Sequence, residues 1–289
     1  MFYRIFNIFL QMLQIFRRLF IMEQLYVFGT GNAAVTRCYN TCFAIRNDSD
    51  QFFMVDAGGG NGILRILQDM QVSFDQIHHI FVTHEHTDHL LGIVWMVRFI
   101  ATGIRKGSYE GDLNIYCHSD LISTIDTFCR LTLQDKLYRT IGERIHLIAV
   151  SDGESRHILD YNMTFFDIHS TKARQYGFTV SLSNGRRLTC AGDEPYNPLC
   201  RSYVEGSDWL LHEAFCLYGE RERFQPYEKH HSTVRDACEL AAELHIPNLV
   251  LWHTEDKSID HRKELYLAEG RQYYTGNLYV PNDGEVLDL

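Results

Sequence analysis

The stretch Thr83-His84-Glu85-His86-Thr87-Asp88-His89 governs how the rest of the chain is read. It follows a strand pattern, Ile77 to Thr83, and precedes an apolar helix pattern, Leu90 to Ala101, that stops near Gly103. His84 and His86 stand two apart at a strand end, so an extended backbone sends both side chains to one side. Asp88 and His89 follow where the chain turns into the helix. Several ligand-type side chains so close together, one of them a carboxylate, suit a borderline metal such as zinc. A loop that is merely rich in histidine does not call for this spacing behind a buried strand.

Upstream, Leu25 to Phe28 reads as a buried strand ended by Gly29-Thr30-Gly31. Asn40 to Arg46 and Phe52 to Val55 read as two more strands around the turn Asn47-Asp48-Ser49-Asp50. The third of these strands runs into Asp56 and the glycines Gly58, Gly59 and Gly60, and Ile63, Leu64, Ile66, Leu67 and Met70 then mark one face of a helix. Downstream come a strand over Asn114 to Cys117, a helix over Leu121 to Leu133, and an amphipathic helix from Thr233 to Leu244 capped by Ser232. Short strands and spread helices predict a mixed α/β fold with several antiparallel pairs. No internal repeat or linker divides Met22 to Leu289. His169, Asp193 and His253 each lie at or just beyond the end of an apolar run, and strand ends are where a rigid scaffold can aim ligands at one site.

The composition, 45% hydrophobic and 22% charged over 289 residues, excludes a disordered or fibrous chain. A net charge of −10 makes it a poor generic binder of nucleic acid or anionic lipid. Its eight cysteines are scattered, with no CxxC pair, which fits a reducing cytoplasm. Residues 1–21 stand apart: they are largely apolar, with a stripe of Arg4, Asn7, Gln11, Gln14 and Arg18 that Arg17 widens at one end. The polar residues break them too often for a membrane span, and no small-residue cleavage site follows. They are read as an amphipathic extension or as a mis-assigned start ahead of Met22, dispensable for folding and hydrolysis. The domain proper is 22–289.

His84-x-His86-x-Asp88-His89 resembles the signature of the metallo-β-lactamase fold hydrolases, and the likeness continues in order along the chain. Asp56 before its glycines, His169 in Phe165-Phe166-Asp167-Ile168-His169, Asp193 in Cys190-Ala191-Gly192-Asp193 and His253 in Leu249-Val250-Leu251-Trp252-His253 match that family's further motifs. The resemblance implies an αββα four-layer sandwich, two mixed sheets with helices outside. It implies two zinc ions, with manganese or iron as alternatives. His84, His86 and His169 would hold the first and Asp88, His89 and His253 the second, with Asp193 bridging and Asp56 supporting the ligands from behind.

Two more stretches are similar to the ribonuclease Z branch: Asp208-Trp209-Leu210-Leu211-His212-Glu213-Ala214-Phe215 and His230-His231-Ser232-Thr233. Tyr176-Gly177-Phe178 and Val280-Pro281-Asn282-Asp283-Gly284 fit as well. The branch implies that His231, supported by Glu213, donates a proton to the leaving oxygen; Asp88 is counted with them as catalytic. The sequence also departs from the branch. The short interval from His169 to Asp193 fits two strands around a Ser183-Asn184-Gly185 hairpin and leaves no room for the long basic arm that grips tRNA. Ala57-Gly58-Gly59-Gly60-Asn61 replaces the branch's Gly-Glu-Gly-Thr, and Glu194 stands where it prefers threonine. The expectation is a dinuclear zinc phosphodiesterase acting on an RNA 3′ end or, better suited to this charge, a smaller phosphodiester. The alternatives are a hydrolase of a small ester, lactone or thioester, and a non-catalytic metal-binding partner held at a membrane by residues 1–21. A homodimer is compatible with either class.

Overall fold

Phe52, Phe53, Met54 and Val55 are apolar without a break, and the fold uses both faces of that strand. Phe52 and Met54 pack outward against helices, while Phe53 and Val55 pack inward against a second sheet. Leu249, Leu251 and Val250, Trp252 divide in the same way on a later strand. A strand buried on both faces reads as a continuous apolar run, and burying each such side chain contributes roughly 1.5–3 kcal/mol. The result is three apolar cores separating four layers: helices, sheet, sheet, helices.

The computed structural model describes residues 23–289; the extension read over residues 1–21, and Met22, lie outside them. The first sheet has the order β14-β1-β2-β3-β4-β5-β6 and the second β13-β12-β11-β10-β9-β8-β7. The first is built from β1 (Gln24–Gly29), β2 (Cys42–Arg46), β3 (Phe52–Val55), β4 (Ile77–Phe81), β5 (Leu113–His118), β6 (Ile145–Val150) and β14 (Val286–Asp288). The second takes β7 (Ser155–Ile158), β8 (Tyr161–Asp167), β9 (Tyr176–Ser181), β10 (Arg187–Cys190), β11 (Trp209–Glu213), β12 (Asn248–Trp252) and β13 (Asn277–Tyr279). Both sheets are mixed. β3 to β6 are parallel, as are β10 to β13, and the remaining pairs are antiparallel. The parallel strands bring their carboxyl ends to a common edge, where open α/β sheets place their sites. The expected four-layer sandwich with outer helices is the observed architecture.

Three local readings change. The helix expected over Leu90 to Ala101 runs from Thr87 to Lys106, so Asp88 and His89 occupy its first turn. Gly103 does not end it; Gly107 does, in the left-handed conformation, with Arg105 and Lys106 in the last turn. The strand before the motif stops at Phe81 rather than Thr83, because the Thr83 amide is claimed by Asp56 Oδ1 at 2.8 Å. The helix Val234–Glu243 is capped by Thr233, which forms a capping box with Asp236. Ser232 cannot cap it, since its amide donates to Glu213 Oε1 and its carbonyl accepts from Phe215. The hairpin at Ser183-Asn184-Gly185 forms as expected, with Gly185 at φ +80° between β9 and β10.

One glycine bears on the site. Gly92, in the helix that starts at the histidine motif, donates its amide to Gly58 O at 2.8 Å, and a Cβ there would run into the Ala57 carbonyl. Gly92→Val is expected to destabilise the fold by about 1–3 kcal/mol through overpacking. It should weaken metal retention as well, because it forces Asp56 and His89 apart. Thermal unfolding together with metal content checks this; a variant with wild-type values in both would show that the close approach is unimportant.

Candidate metal centre

Asp56 follows β3 with φ +55°, a left-handed backbone that costs roughly 1–2 kcal/mol in a residue other than glycine. His253 after β12 and His169 after β8 share it, at φ +56° and +58°. Such strain persists where surrounding structure fixes it, typically at functional sites. Asp56 Oδ2 accepts from His89 Nδ1 at 2.7 Å and from Thr83 Oγ1 at 2.8 Å. That fixes the His89 tautomer and leaves its Nε2 lone pair facing the space between the sheets.

Asp193 Oδ2 sits at the focus of that space. It lies 3.7 Å from His84 Nε2, 3.4 Å from His89 Nε2 and 3.4 Å from His253 Nε2. Asp88 Oδ2 is 3.4 Å from His89 Nε2 and 3.5 Å from His253 Nε2. His86 Nδ1 stands 2.8 Å from His84 Nε2. His89 Nε2 and both ring nitrogens of His253 are buried without a hydrogen-bond partner. Buried nitrogens left unpaired are costly, and a nitrogen–oxygen donor set converging in this way fits divalent cations. Electrostatics agrees. Burial works against charge on His89, yet Asp88 and Asp56 hold its pKa well above the ordinary value. Burial also opposes ionisation of Asp193, yet His84 and His89 hold it well below. Positive charge is stabilised at His89, whereas burial holds the His84 pKa well below its ordinary value, so that ring stays neutral with a lone pair to offer.

Two groups within ion-pair reach lie beside this cluster. His231 Nδ1 is 3.4 Å from Glu213 Oε2, and its ring stacks on Phe215 and lies 5.2 Å from the His253 ring. Glu213 is fully buried and Oε2 has no hydrogen-bond partner; burial pushes its pKa up to about 7. Burial, then the nearby Lys172 charge, holds His231 down to about 4.

Six of the expected metal-binding residues, His84, His86, Asp88, His89, Asp193 and His253, are thus brought together, with Asp56 behind His89 and with Glu213 and His231 alongside. His169 is not. Its side chain is exposed and its imidazole makes no hydrogen bond or ion pair with the cluster; only its amide is engaged, by Asp167 Oδ1 at 2.8 Å. The loop that begins there is anchored through its next residues, since Ser170 Oγ donates to Glu194 Oε1 at 2.7 Å. Two side chains beside the cluster escaped the sequence reading. Gln175, buried, donates its amide to Asp193 Oδ1 and lies 3.0 Å from His84 Nδ1. Arg262, fully buried, ties the loop carrying His253 to its surroundings through Thr254 Oγ1 (2.8 Å), Thr30 Oγ1 (2.9 Å) and Pro281 O (2.9 Å). Buried polar residues at strand starts and helix starts were their only sequence signal.

Ligands drawn from both sheets make metal a brace between them. Chelation is therefore expected to lower the unfolding temperature, by the equivalent of about 2.7 kcal/mol for a site held at a hundred times its Kd. Scanning calorimetry with and without a chelator tests this, and coincident melts would exclude a bound metal.

A model of the family described as "Anti-Pycsar protein Apyc1" matches residues 23–273. A ribonuclease Z from Parabacteroides distasonis is 22% identical over 270 residues, covering 78% of this chain and 87% of that protein. Among solved structures, the metallo-β-lactamase fold protein YhfI from Bacillus subtilis superimposes with TM-score 0.74 at 17% identity, covering 92% of this chain and 99% of that one. The short form of human tRNase Z superimposes with TM-score 0.70 at 18% identity, covering 91% and 98%. The expected likeness to the metallo-β-lactamase fold and its ribonuclease Z branch is met, and the family model is more particular than either.

Proposed function

The chain belongs to the family described as anti-Pycsar protein Apyc1, and from that premise we propose that it is a dinuclear zinc phosphodiesterase acting on a small phosphodiester. The observation that carries the reading is the position of Asp193 Oδ2, within 3.4–3.7 Å of three histidine Nε2 atoms, with the Glu213–His231 pair alongside. The relatives named ribonuclease Z support cleavage of a phosphoester bond. His84, His86, Asp88, His89, Asp193 and His253 would hold divalent metal, which would supply an activated water and offset charge on the phosphoryl oxygens. Asp56 keeps His89 in the ligating tautomer. Glu213 Oε2 faces His231 Nδ1 at 3.4 Å, which leaves Nε2 as the atom to hand a proton to the leaving oxygen. Burial disfavours the charged ring, and an anionic substrate beside it works the other way.

A small substrate is favoured over tRNA for two reasons. The interval from His169 to Asp193 is a short loop and the β9–β10 hairpin, with no arm among the described residues. The chain also carries a net charge of −10. A Glu213–His231 pair has little to do in opening a lactone, whose leaving group needs less help. The test is a panel of bis(p-nitrophenyl) phosphate, small alkyl and cyclic phosphodiesters, a lactone and a pre-tRNA, each with and without chelator. Chelator-sensitive cleavage of the small phosphodiesters is expected. Preference for the lactone, or efficient processing of the pre-tRNA alone, would overturn the reading.

A further inference from the structure

Glu194, which stands where the ribonuclease Z branch prefers threonine, is almost fully buried beside Asp193. A buried carboxylate needs partners, and it finds them in the loop between β8 and β9. Its Oε1 accepts from Ser170 Oγ at 2.7 Å and its Oε2 from the Thr171 amide at 3.3 Å. Ser170 Oγ in turn accepts from the amides of Lys172 (3.2 Å) and Ala173 (3.3 Å). The loop is thereby tied to Glu194, and Lys172 is carried beside His231.

Lys172 Nζ donates to Lys229 O at 3.1 Å, lies 3.5 Å from His231 Nε2 and stands 3.7 Å from Glu194 Oε1; its side chain is only a quarter exposed. The neighbouring cations are occupied. Arg174 pairs with Asp120 at 3.0 Å and Asp167 at 3.6 Å, and Lys229 Nζ donates to Phe224 O at 2.8 Å above the Phe215 ring. Asp88 and Asp193 would be offset by the metal they hold, but Glu194 is not among those ligands and its charge would repel an anion. Lys172 brings a positive charge to within 3.5 Å of His231 Nε2, so a phosphoryl group placed beside that ring would meet it. One of its three N–H donors is satisfied by Lys229 O. Those facing His231 and Glu194 are long, and free to shorten onto a stronger acceptor.

We propose that Lys172 binds the substrate's phosphoryl oxygens and that Glu194, by anchoring the Ser170–Ala173 loop, sets it there. It deepens the phosphodiesterase reading and rests on it. Lys172 is then a binding residue and Glu194 a positioning residue.

The experiment compares wild type, Lys172→Met, Lys172→Arg and Glu194→Gln. It measures metal content, kcat and KM on a small phosphodiester, and the affinity of the metal-loaded protein for inorganic phosphate. A hydrogen bond to a charged group implies that Lys172→Met raises KM and the phosphate Kd by about 10–100-fold. kcat should fall much less, since binding common to ground and transition states is what is lost. Lys172→Arg should recover most of the affinity, Glu194→Gln should shift KM in the same direction by less, and metal content should not change in any of them. Wild-type phosphate affinity in Lys172→Met, a fall in kcat at constant KM, loss of metal, or a wild type that binds no phosphate would each overturn the proposal. Cleavage by the wild type with unchanged phosphate affinity in Lys172→Met defeats this assignment and leaves the phosphodiesterase reading standing. Weakened phosphate binding in Lys172→Met, with no phosphodiester cleaved by the wild type, does the reverse.

Discussion

Replacing Asp193 with alanine is expected to lower the amount of bound metal and to bring turnover to background. Its Oδ2 is the single oxygen within 3.4–3.7 Å of the Nε2 atoms of His84, His89 and His253. Without it, three buried imidazoles lose the carboxylate on which they converge, and Asp88 and Asp56 are left as the anions beside them. Losing an outer partner of a metal ligand typically costs about 10–100-fold in affinity or activity, and the loss of the carboxylate at the focus of the cluster is expected to exceed that. Asp56→Asn supplies the scale: it touches the centre only through His89 and Thr83 and should fall within that lesser range. Elemental analysis and hydrolysis of bis(p-nitrophenyl) phosphate decide the matter. Two metals per chain and full activity in Asp193→Ala would sink the assignment.

His231→Ala is expected to slow substrates with poor leaving groups by about 10²–10⁴-fold and those with good ones far less, because a general acid helps only as much as the departing oxygen needs a proton. p-Nitrophenolate leaves unaided, whereas a ribose alkoxide does not. The geometry offers two other roles for the ring. It lies 3.5 Å from Lys172 Nζ and could assist in holding phosphoryl oxygens, in which case both substrates would slow by a similar factor. It also stacks on Phe215 and could merely pack, in which case neither rate would change and only stability would drop. Equal slowing of an alkyl and a nitrophenyl phosphodiester would remove His231 as proton donor, and with it the main ground for preferring phosphodiesters to lactones.

Part of the cluster was legible because Asp56, Glu213 and His253 lie at the ends of strands buried on both faces, whereas Asp88 and His89 sit in the first turn of a helix and were read from the spacing of their motif. Such strands are continuous apolar runs, so Asp56 after Phe52–Val55, Glu213 at the end of Trp209–Glu213 and His253 after Asn248–Trp252 stand out as polar residues at their ends. What escaped depends on contacts made through space. Nothing in the order Ser170-Thr171-Lys172 says that Glu194 will fold the loop inward, and Gln175 looks like any polar residue before a strand. His169 was legible as a strand-end histidine. The direction of its side chain was not, since a left-handed backbone departs from the alternation of the strand before it. The helix at the motif outran its expected end because Gly103 is tolerated inside it. The cap fell to Thr233 rather than Ser232 because the Ser232 backbone is used by Glu213 and Phe215.

Arg262 has a consequence for how the protein is made. Its buried guanidinium joins Thr30, at the end of the first strand, to Thr254 and to Pro281 and Asn282, and β14 closes the first sheet by pairing with β1. On the ribosome, then, the His84–His89 motif emerges long before the strands and loops that hold its partners in place. Until β12 and β14 have been synthesised, an N-terminal half with an unpaired β1 edge and clustered, unshielded imidazoles must wait. Pairing over such sequence separations is slow, and species that wait with open edges are prone to aggregate. Yield in a cell should therefore respond to elongation rate and chaperone supply more than to the stability of the finished fold.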